Sequence, residues 1–302
     1  MWTVKSAVRL EPAIQAGYTG RGIGVAILDT GAFAHRDFAD RVACFQDFVQ
    51  RRRVMYDDNG HGTHVAGILA GSGALSGGRV RGMAPGCHLA IVKVLDQKGN
   101  GKASAMIQGI DWLLKYKEEY ELRIVNISVG GSRGSAREDS LLIGRVEALW
   151  EAGLVVVVAA GNRGPRPGSI TTPGISRRVI TVGAGDDQLY ATIGGTRRRN
   201  YSGRGPAPTG IMKPELSAPG AGILSCNVCP LPDMAPYTVK GGTSMATALV
   251  SGALALLLEK EPALTNEDIR QRLQDHCDTE NIEAGRDGWG HLNVSKLLEL
   301  QP

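Results

Sequence analysis

The chain has 302 residues, 42% hydrophobic, 21% charged and 5% aromatic, with a formal net charge of +4. Such a composition excludes a disordered or fibrous chain, the charge is too mild to imply nucleic acid, and no run of about 18 apolar residues is present to span a membrane. Glycine stands out at 41 residues, about twice the usual share, which predicts many tight turns and close backbone approaches.

In chain order, the N-terminal residues lack a basic segment followed by an apolar core, so no signal peptide is expected. Residues 1–19 are taken as an N-terminal segment and 20–302 as one domain, since no linker or repeat divides them. Alternation then begins. Strands are expected over 25–28, 89–95, 124–129, 154–160 and 179–182, and helices over 61–70, 103–120, 138–152, 244–260 and 266–276. The run Leu154-Val-Val-Val-Val-Ala-Ala160 has no polar alternation, as in a parallel strand buried on both faces. Strand–helix alternation predicts an α/β fold: a doubly wound, mainly parallel sheet with helices on both faces. Sites in such sheets form beyond the carboxyl ends of the strands.

Five cysteines, Cys44, Cys87, Cys226, Cys229 and Cys277, make an odd and sparse set. They argue for a reducing compartment over a disulfide framework, so a cytoplasmic location is expected unless an export segment has been removed from the chain. Cys226 and Cys229 have metal or redox spacing, but no second pair accompanies them and they read as ordinary thiols. The arginine runs at 51–53 and 197–199 read as solvated loops, with a docking or self-cleavage site as the alternative.

Four residues fall at the ends of the expected elements. Asp29 ends the first apolar strand, in Val25-Ala-Ile-Leu-Asp-Thr-Gly31, where a carboxylate faces a crevice or caps a turn. His61 opens a helix in Asn59-Gly-His-Gly-Thr-His-Val-Ala-Gly67. His64 sits three residues on, but no third ligand or HExxH glutamate completes a metal site, so His64 reads as a packed helix residue. Ser244, in Gly241-Gly-Thr-Ser-Met-Ala-Thr-Ala248, precedes a long apolar helix. It is either an N-cap or a nucleophile whose own N–H and helix dipole face a developing oxyanion. Asn162 follows a buried strand in Ala159-Ala-Gly-Asn162 and can donate to that oxyanion. Together they supply a nucleophile, a base, a carboxylate to orient the base, and a donor.

Chain order separates the serine-hydrolase folds, and Asp…His…Ser is the subtilisin order. An α/β-hydrolase would need Asp287 and His291 as partners of Ser244, but the segment after Ser244 reads as helices, not further sheet strands. A dinucleotide site fails as well, because Gly20-Arg-Gly-Ile-Gly24 precedes the first strand and does not follow it.

These segments, with Asn126-Ile-Ser-Val-Gly-Gly131, resemble the subtilisin-family (subtilase, peptidase S8) serine proteases over about 20–298, most closely the intracellular bacterial members. The resemblance implies a three-layer sandwich and a serine endopeptidase with catalytic Asp29, His61, Ser244 and Asn162. It implies that extended peptide substrates lie between Gly99-Asn100-Gly101 and Ser128-Val129-Gly130. Ala159–Gly161 and Asn126–Gly131 then line the pocket for the residue before the cut, with Arg163 at its rim, and Ala103 and Met106 shape a pocket further upstream. No cofactor is required, and neither nucleic acid nor membrane is expected as partner. Three departures stand out. Arg163 replaces a frequent Glu, which should disfavour Lys or Arg before the cut. Ala248 replaces the Pro ending the serine signature, which leaves a peptide ligase or transpeptidase as an alternative, beside a leader-peptide maturation protease and a peptide-binding pseudoprotease. Asp37 matches a calcium-ligand position, but its partner loop 71–78 lacks an evident Asn or Asp, so the strong calcium site is expected to be absent or altered. A cis bond is expected at Thr172–Pro173.

Overall fold

A computed structural model describes residues 2–129, 135–208, 210–229, 231 and 233–301. Two short helices, α1 (Trp2–Ala7) and α2 (Glu11–Gln15), precede β1 (Gly24–Asp29) and β2 (Val42–Asp47). There follow α3 (His61–Ala70), β3 (His88–Lys93), α4 (Ala103–Tyr116), β4 (Leu122–Ile127), α5 (Ala136–Glu151), β5 (Val155–Ala159) and β6 (Ile180–Ala184). The chain continues through β7 (Ala191–Ile193), β8 (Thr196–Arg198), β9 (Leu216–Ala218), β10 (Ile223–Cys226) and β11 (Tyr237–Lys240), and closes with α6 (Thr243–Lys260), α7 (Asn266–His276) and α8 (Val294–Leu297).

Seven strands form one parallel sheet in the order β2-β3-β1-β4-β5-β6-β9. All five residues of β5 are buried, as its unbroken apolar run requires. On one face α6 packs across β4, β5 and β6 and against α3; on the other α4 and α5 pack together. The doubly wound, three-layer α/β expectation therefore holds. α6 is buried from Thr243 to Leu258 on every side, because small residues (Ala, Ser, Gly) let it sit close to the sheet while its leucines fill the remaining space. Each fully buried leucine contributes roughly 2 kcal/mol. α5 and α7 both begin with capping boxes, Ser135 with Glu138 and Thr265 with Asp268.

Two expected elements end early. The helix from Ala103 stops at Tyr116, and the chain turns into β4 through Glu121 at φ 46°. The strand over 89–95 stops at Lys93 because the Val94 and Leu95 amides both turn to donate to the Asp29 carbonyl. The half-exposed edge strand β2 and the short β7–β8 and β10–β11 ribbons had no apolar run to reveal them. The N-terminal segment contributes Val4, Val8, Leu10 and Ala13 to the core, and the Val8 carbonyl accepts the Val294 amide at the start of α8. The Thr172–Pro173 bond is cis. Among the described residues no helix is long and apolar enough to cross a membrane.

Candidate active site

β1 lies between β3 and β4, and the chain leaves for opposite halves of the sheet on either side of it. Its carboxyl end therefore opens into the crevice where α/β sheets hold their ligands. Asp29 sits there fully buried, its two oxygens 2.8 and 2.9 Å from His61 Nδ1. His61 is the first residue of α3, and that helix start can approach the strand end only because residue 62 is glycine. A Cβ there would collide with the Gly31 carbonyl oxygen and lie 3.2 Å from Asp29.

A second carboxylate holds this junction. Asp57 accepts the Asn59 and Gly60 amides at 3.0 and 2.8 Å, the Thr63 amide and hydroxyl at 2.9 and 2.6 Å, and the Thr30 hydroxyl at 2.9 Å. Thr30 Oγ1 in turn accepts the Gly62 amide at 2.9 Å. Three of these donors belong to the helix start, whose free N–H groups and dipole favour an anion. Lys93, fully buried, donates to the Thr30 and Leu95 carbonyls and to Asp58, so all three ammonium hydrogens are used. Sequence reasoning missed Asp57, Thr30 and Lys93. A carboxylate four residues ahead of His61 was the available signal for Asp57; nothing local marked Lys93.

Ser244 is the second residue of α6. Its hydroxyl donates to the Ser128 carbonyl at 2.7 Å, while Ser128 Oγ donates to the Ser244 carbonyl at 3.1 Å. Asn126 and Ser251 extend this buried network, the Asn126 amide donating to Ser128 Oγ at 2.7 Å and the Ser251 hydroxyl to Asn126 Oδ1 at 2.9 Å. β4 and α6 are thereby tied together behind the serine. Asn162 is oriented by Thr243, whose amide and hydroxyl both donate to Asn162 Oδ1 at 3.0 and 3.2 Å. The Nδ2 end is left as the donor beside the α6 N-terminus.

His61, Ser244, Gly99, Ser128 and Val129 line one cleft of about 550 Å³. Asn100, Gly101, Ala103 and Met106 line an adjoining pocket of about 400 Å³, with Val129 between the two. Ala159 is the last residue of β5, Gly161 donates its amide to Thr243 Oγ1 at 3.1 Å, and Arg163 is exposed beyond Asn162. None of these three is among the residues that line the cleft or the adjoining pocket. Gly130 lies outside the described residues, as does Gly131.

Burial opposes a charge on the His61 imidazole, but the Asp29 charge and hydrogen bond, aided by Asp57, outweigh it and hold the pKa above the ordinary value. Lys240 acts in the opposite direction. His64 is a packed residue, as expected. Burial, with Lys240 and His61, pushes its pKa down to about 3, and Nε2 meets the Ile223 and Thr238 carbonyls at 3.0 and 3.2 Å. The imidazole thus pins the β10–β11 ribbon to α3.

Asp37 does not fit a calcium ion. Its carboxylate already accepts the Tyr237 hydroxyl at 2.8 Å and the Gly73 and Leu75 amides at 3.1 and 3.2 Å, with the Cys226 thiol at 3.8 Å. His35 completes a cluster whose ligand-type atoms lie within 4.8 Å. However, His35 Nδ1 accepts the Asp37 amide and Nε2 meets the Pro236 carbonyl, so these atoms are engaged. Burial and the Asp37 charge drive the Cys226 thiol well above its ordinary pKa, so it remains a neutral donor. Protein N–H, O–H and S–H groups occupy the carboxylate where a hard cation would need oxygens. All five cysteines are free thiols.

The subtilase family profile matches residues 20–290. Serine protease AprX of Bacillus subtilis (strain 168) is 40% identical over 91% of this chain, which spans 66% of that protein's length, just under two thirds. Subtilisin DY of Bacillus licheniformis is 37% identical over 88% of this chain and 87% of its own. Among solved structures, Sphericase superposes with a TM-score of 0.79 at 28% identity, covering 97% of both chains.

Proposed function

The chain belongs to the subtilase family, and on that footing we propose that it is a serine endopeptidase working through an acyl-enzyme. The observation that carries the reading is the convergence of Asp29, His61 and Ser244 at one switch point, with Asn162 oriented beside the α6 N-terminus. Residues 20–302 serve as the catalytic domain. Ser244 Oγ turns from the Ser128 carbonyl toward His61, attacks the peptide carbonyl as its proton passes to Nε2, and the imidazolium returns that proton to the leaving amine. Asp29 holds the Nδ1–H tautomer and stabilises the imidazolium. Asn162 Nδ2 and the Ser244 amide donate to the oxyanion, where the helix dipole adds to their field.

The substrate lies extended along Ser128–Val129 on one side and Gly99–Gly101 on the other, as peptides pair with exposed strand edges. The upstream pocket, with Ala103 and Met106, accepts an apolar side chain. Arg163, beyond Asn162, disfavours Lys or Arg before the cut.

The test is reaction with a fluorophosphonate probe beside a Ser244→Ala control, read by intact mass. One adduct, lost in the control, is expected. Folded protein that takes no adduct, or an adduct that survives in the control, overturns the reading.

A further inference from the structure

Neither the arginine run at 197–199 nor Lys240 has a part in the chemistry above. β7 and β8 form a hairpin turned by Gly194 and Gly195, and Thr192, Gly194 and Gly195 line the same cleft as His61 and Ser244. In its ladder Thr192 stands opposite Arg197. Directly paired residues project from the same face of a ribbon, and residues two apart share that face. Arg197 and Arg199 therefore share a face of the hairpin with Thr192, next to the cleft lining and not within it. Both guanidinium groups lie over the Tyr190 ring, at 4.5 and 5.5 Å from its centroid, which positions them without neutralising them.

The opposite face of the hairpin anchors it. Ala191 packs so closely on Gly241 that a Cβ added to the glycine would lie 2.5 Å from it, and the Arg198 guanidinium donates to the Asn162 carbonyl at 3.4 Å. Lys240, the last residue of β11, lines the cleft beside Gly241, near enough for its charge to bear on both His61 and His64. Among the described residues, Lys240, Arg197, Arg198 and Arg199 have no carboxylate partner, whereas Arg204, Arg270 and Arg286 each have one. The upstream pocket, by contrast, sets Glu138 and Asp139 beside Lys102. Uncompensated cations along one wall of a cleft concentrate anionic ligands there.

This inference rests on the endopeptidase reading, in which the acyl half of the substrate runs along Ser128–Val129 and Gly99. The leaving half then passes Gly241 between Lys240 and the hairpin. We propose that Lys240, Arg197 and Arg199 form a basic rim that selects substrates carrying Asp or Glu in the first residues after the scissile bond. These are specificity residues: they contact the departing segment and take no part in proton transfer.

The experiment uses internally quenched peptides identical up to the cut, with Glu, Gln or Lys at the first two positions after it. A p-nitroanilide of the same acyl sequence has no residues after the cut and so reports acylation alone. The expected order of kcat/KM is Glu above Gln above Lys, with about tenfold between the extremes, shrinking as salt is raised toward 1 M. Lys240→Glu and, separately, Arg197→Glu should each reduce or reverse the Glu:Lys ratio, which is independent of how much of a variant is folded. Equal turnover of the three peptides, or a ratio that neither variant moves, overturns the rim while p-nitroanilide hydrolysis leaves the endopeptidase reading standing. Inertness toward every peptide and the p-nitroanilide overturns both.

Discussion

Asp57 Oδ1 accepts the Thr30 hydroxyl at 2.9 Å, and this bond joins the loop ahead of His61 to the residue following Asp29. Asp57 never touches the imidazole through a hydrogen bond, yet it determines where the first turn of α3 stands relative to the end of β1. Asp57→Asn keeps the shape but replaces one of the two acceptor oxygens that serve five donors with an NH2 group, which faces donors and not acceptors. Its expected cost is about 3 kcal/mol of stability, the size seen when a buried charged network is broken. Because burial and Lys240 lower the His61 pKa while Asp29 and Asp57 raise it, losing the Asp57 charge lowers it. The acid limb of kcat/KM should therefore move to lower pH. Urea melts and a pH–rate profile check the two effects separately, and a limb that moves to higher pH contradicts the assignment.

Thr243 holds Asn162, the proposed oxyanion donor, through two bonds to its Oδ1. Thr243→Val removes the hydroxyl and leaves the amide bond, so kcat should fall about tenfold with KM little changed, because the lost alignment matters only when negative charge develops. Asn162→Leu should cost roughly 10²–10³ in kcat, a size carried over from subtilisin. Steady-state kinetics on one peptide compare the two; a larger loss for Thr243→Val than for Asn162→Leu contradicts the orienting role.

His64 gives a stability signature at acid pH. Burial first, then Lys240 and His61, hold its folded pKa at about 3, whereas the unfolded imidazole titrates near its ordinary value of 6.5. The unfolded chain thus binds the extra proton, so its stabilising share is complete above about 6.5 and is lost progressively as pH falls toward about 3. His64→Gln should flatten the fall in unfolding free energy across that window. Urea melts at several pH values measure it, and a wild-type slope retained in the variant would assign the acid loss elsewhere.

Tyr237 donates to Asp37 in a cluster closed by protein donors. Tyr237→Phe should lower stability by about 1 kcal/mol, equally in EDTA and in excess calcium. Paired thermal melts decide this: a loss that calcium repairs would mean that a cation does occupy Asp37.

Arg163 lies beyond Asn162, exposed and without an ion pair among the described residues. Peptides with Leu, Glu and Lys before the cut should rank with Lys last, and Arg163→Glu should raise the Lys peptide by about fivefold to tenfold in kcat/KM. A wild-type preference for Lys sinks the assignment.

The sheet, and the element ends that carry Asp29, His61, Ser244 and Asn162, were legible because the signals are local. Buried parallel strands are continuous apolar runs, helices carry their period and caps, and glycine clusters mark where Asp29, His61 and Ser244 meet tight backbone. The calcium-ligand departure was also visible in the loop at 71–78, although the donors that close Asp37 were not. Those donors come from residues as distant in the chain as Cys226 and Tyr237, and side chains far apart in sequence become neighbours only once the sheet is assembled. The same holds for Lys93, whose burial follows from β3 pairing with β1, and for the Ser251–Asn126–Ser128 network between α6 and β4. The arginines at 197–199 read as a solvated loop in the sequence. Only the pairing of Thr192 with Arg197 fixes which of them shares the face of Thr192, because a one-residue change of register would exchange the two faces of the hairpin.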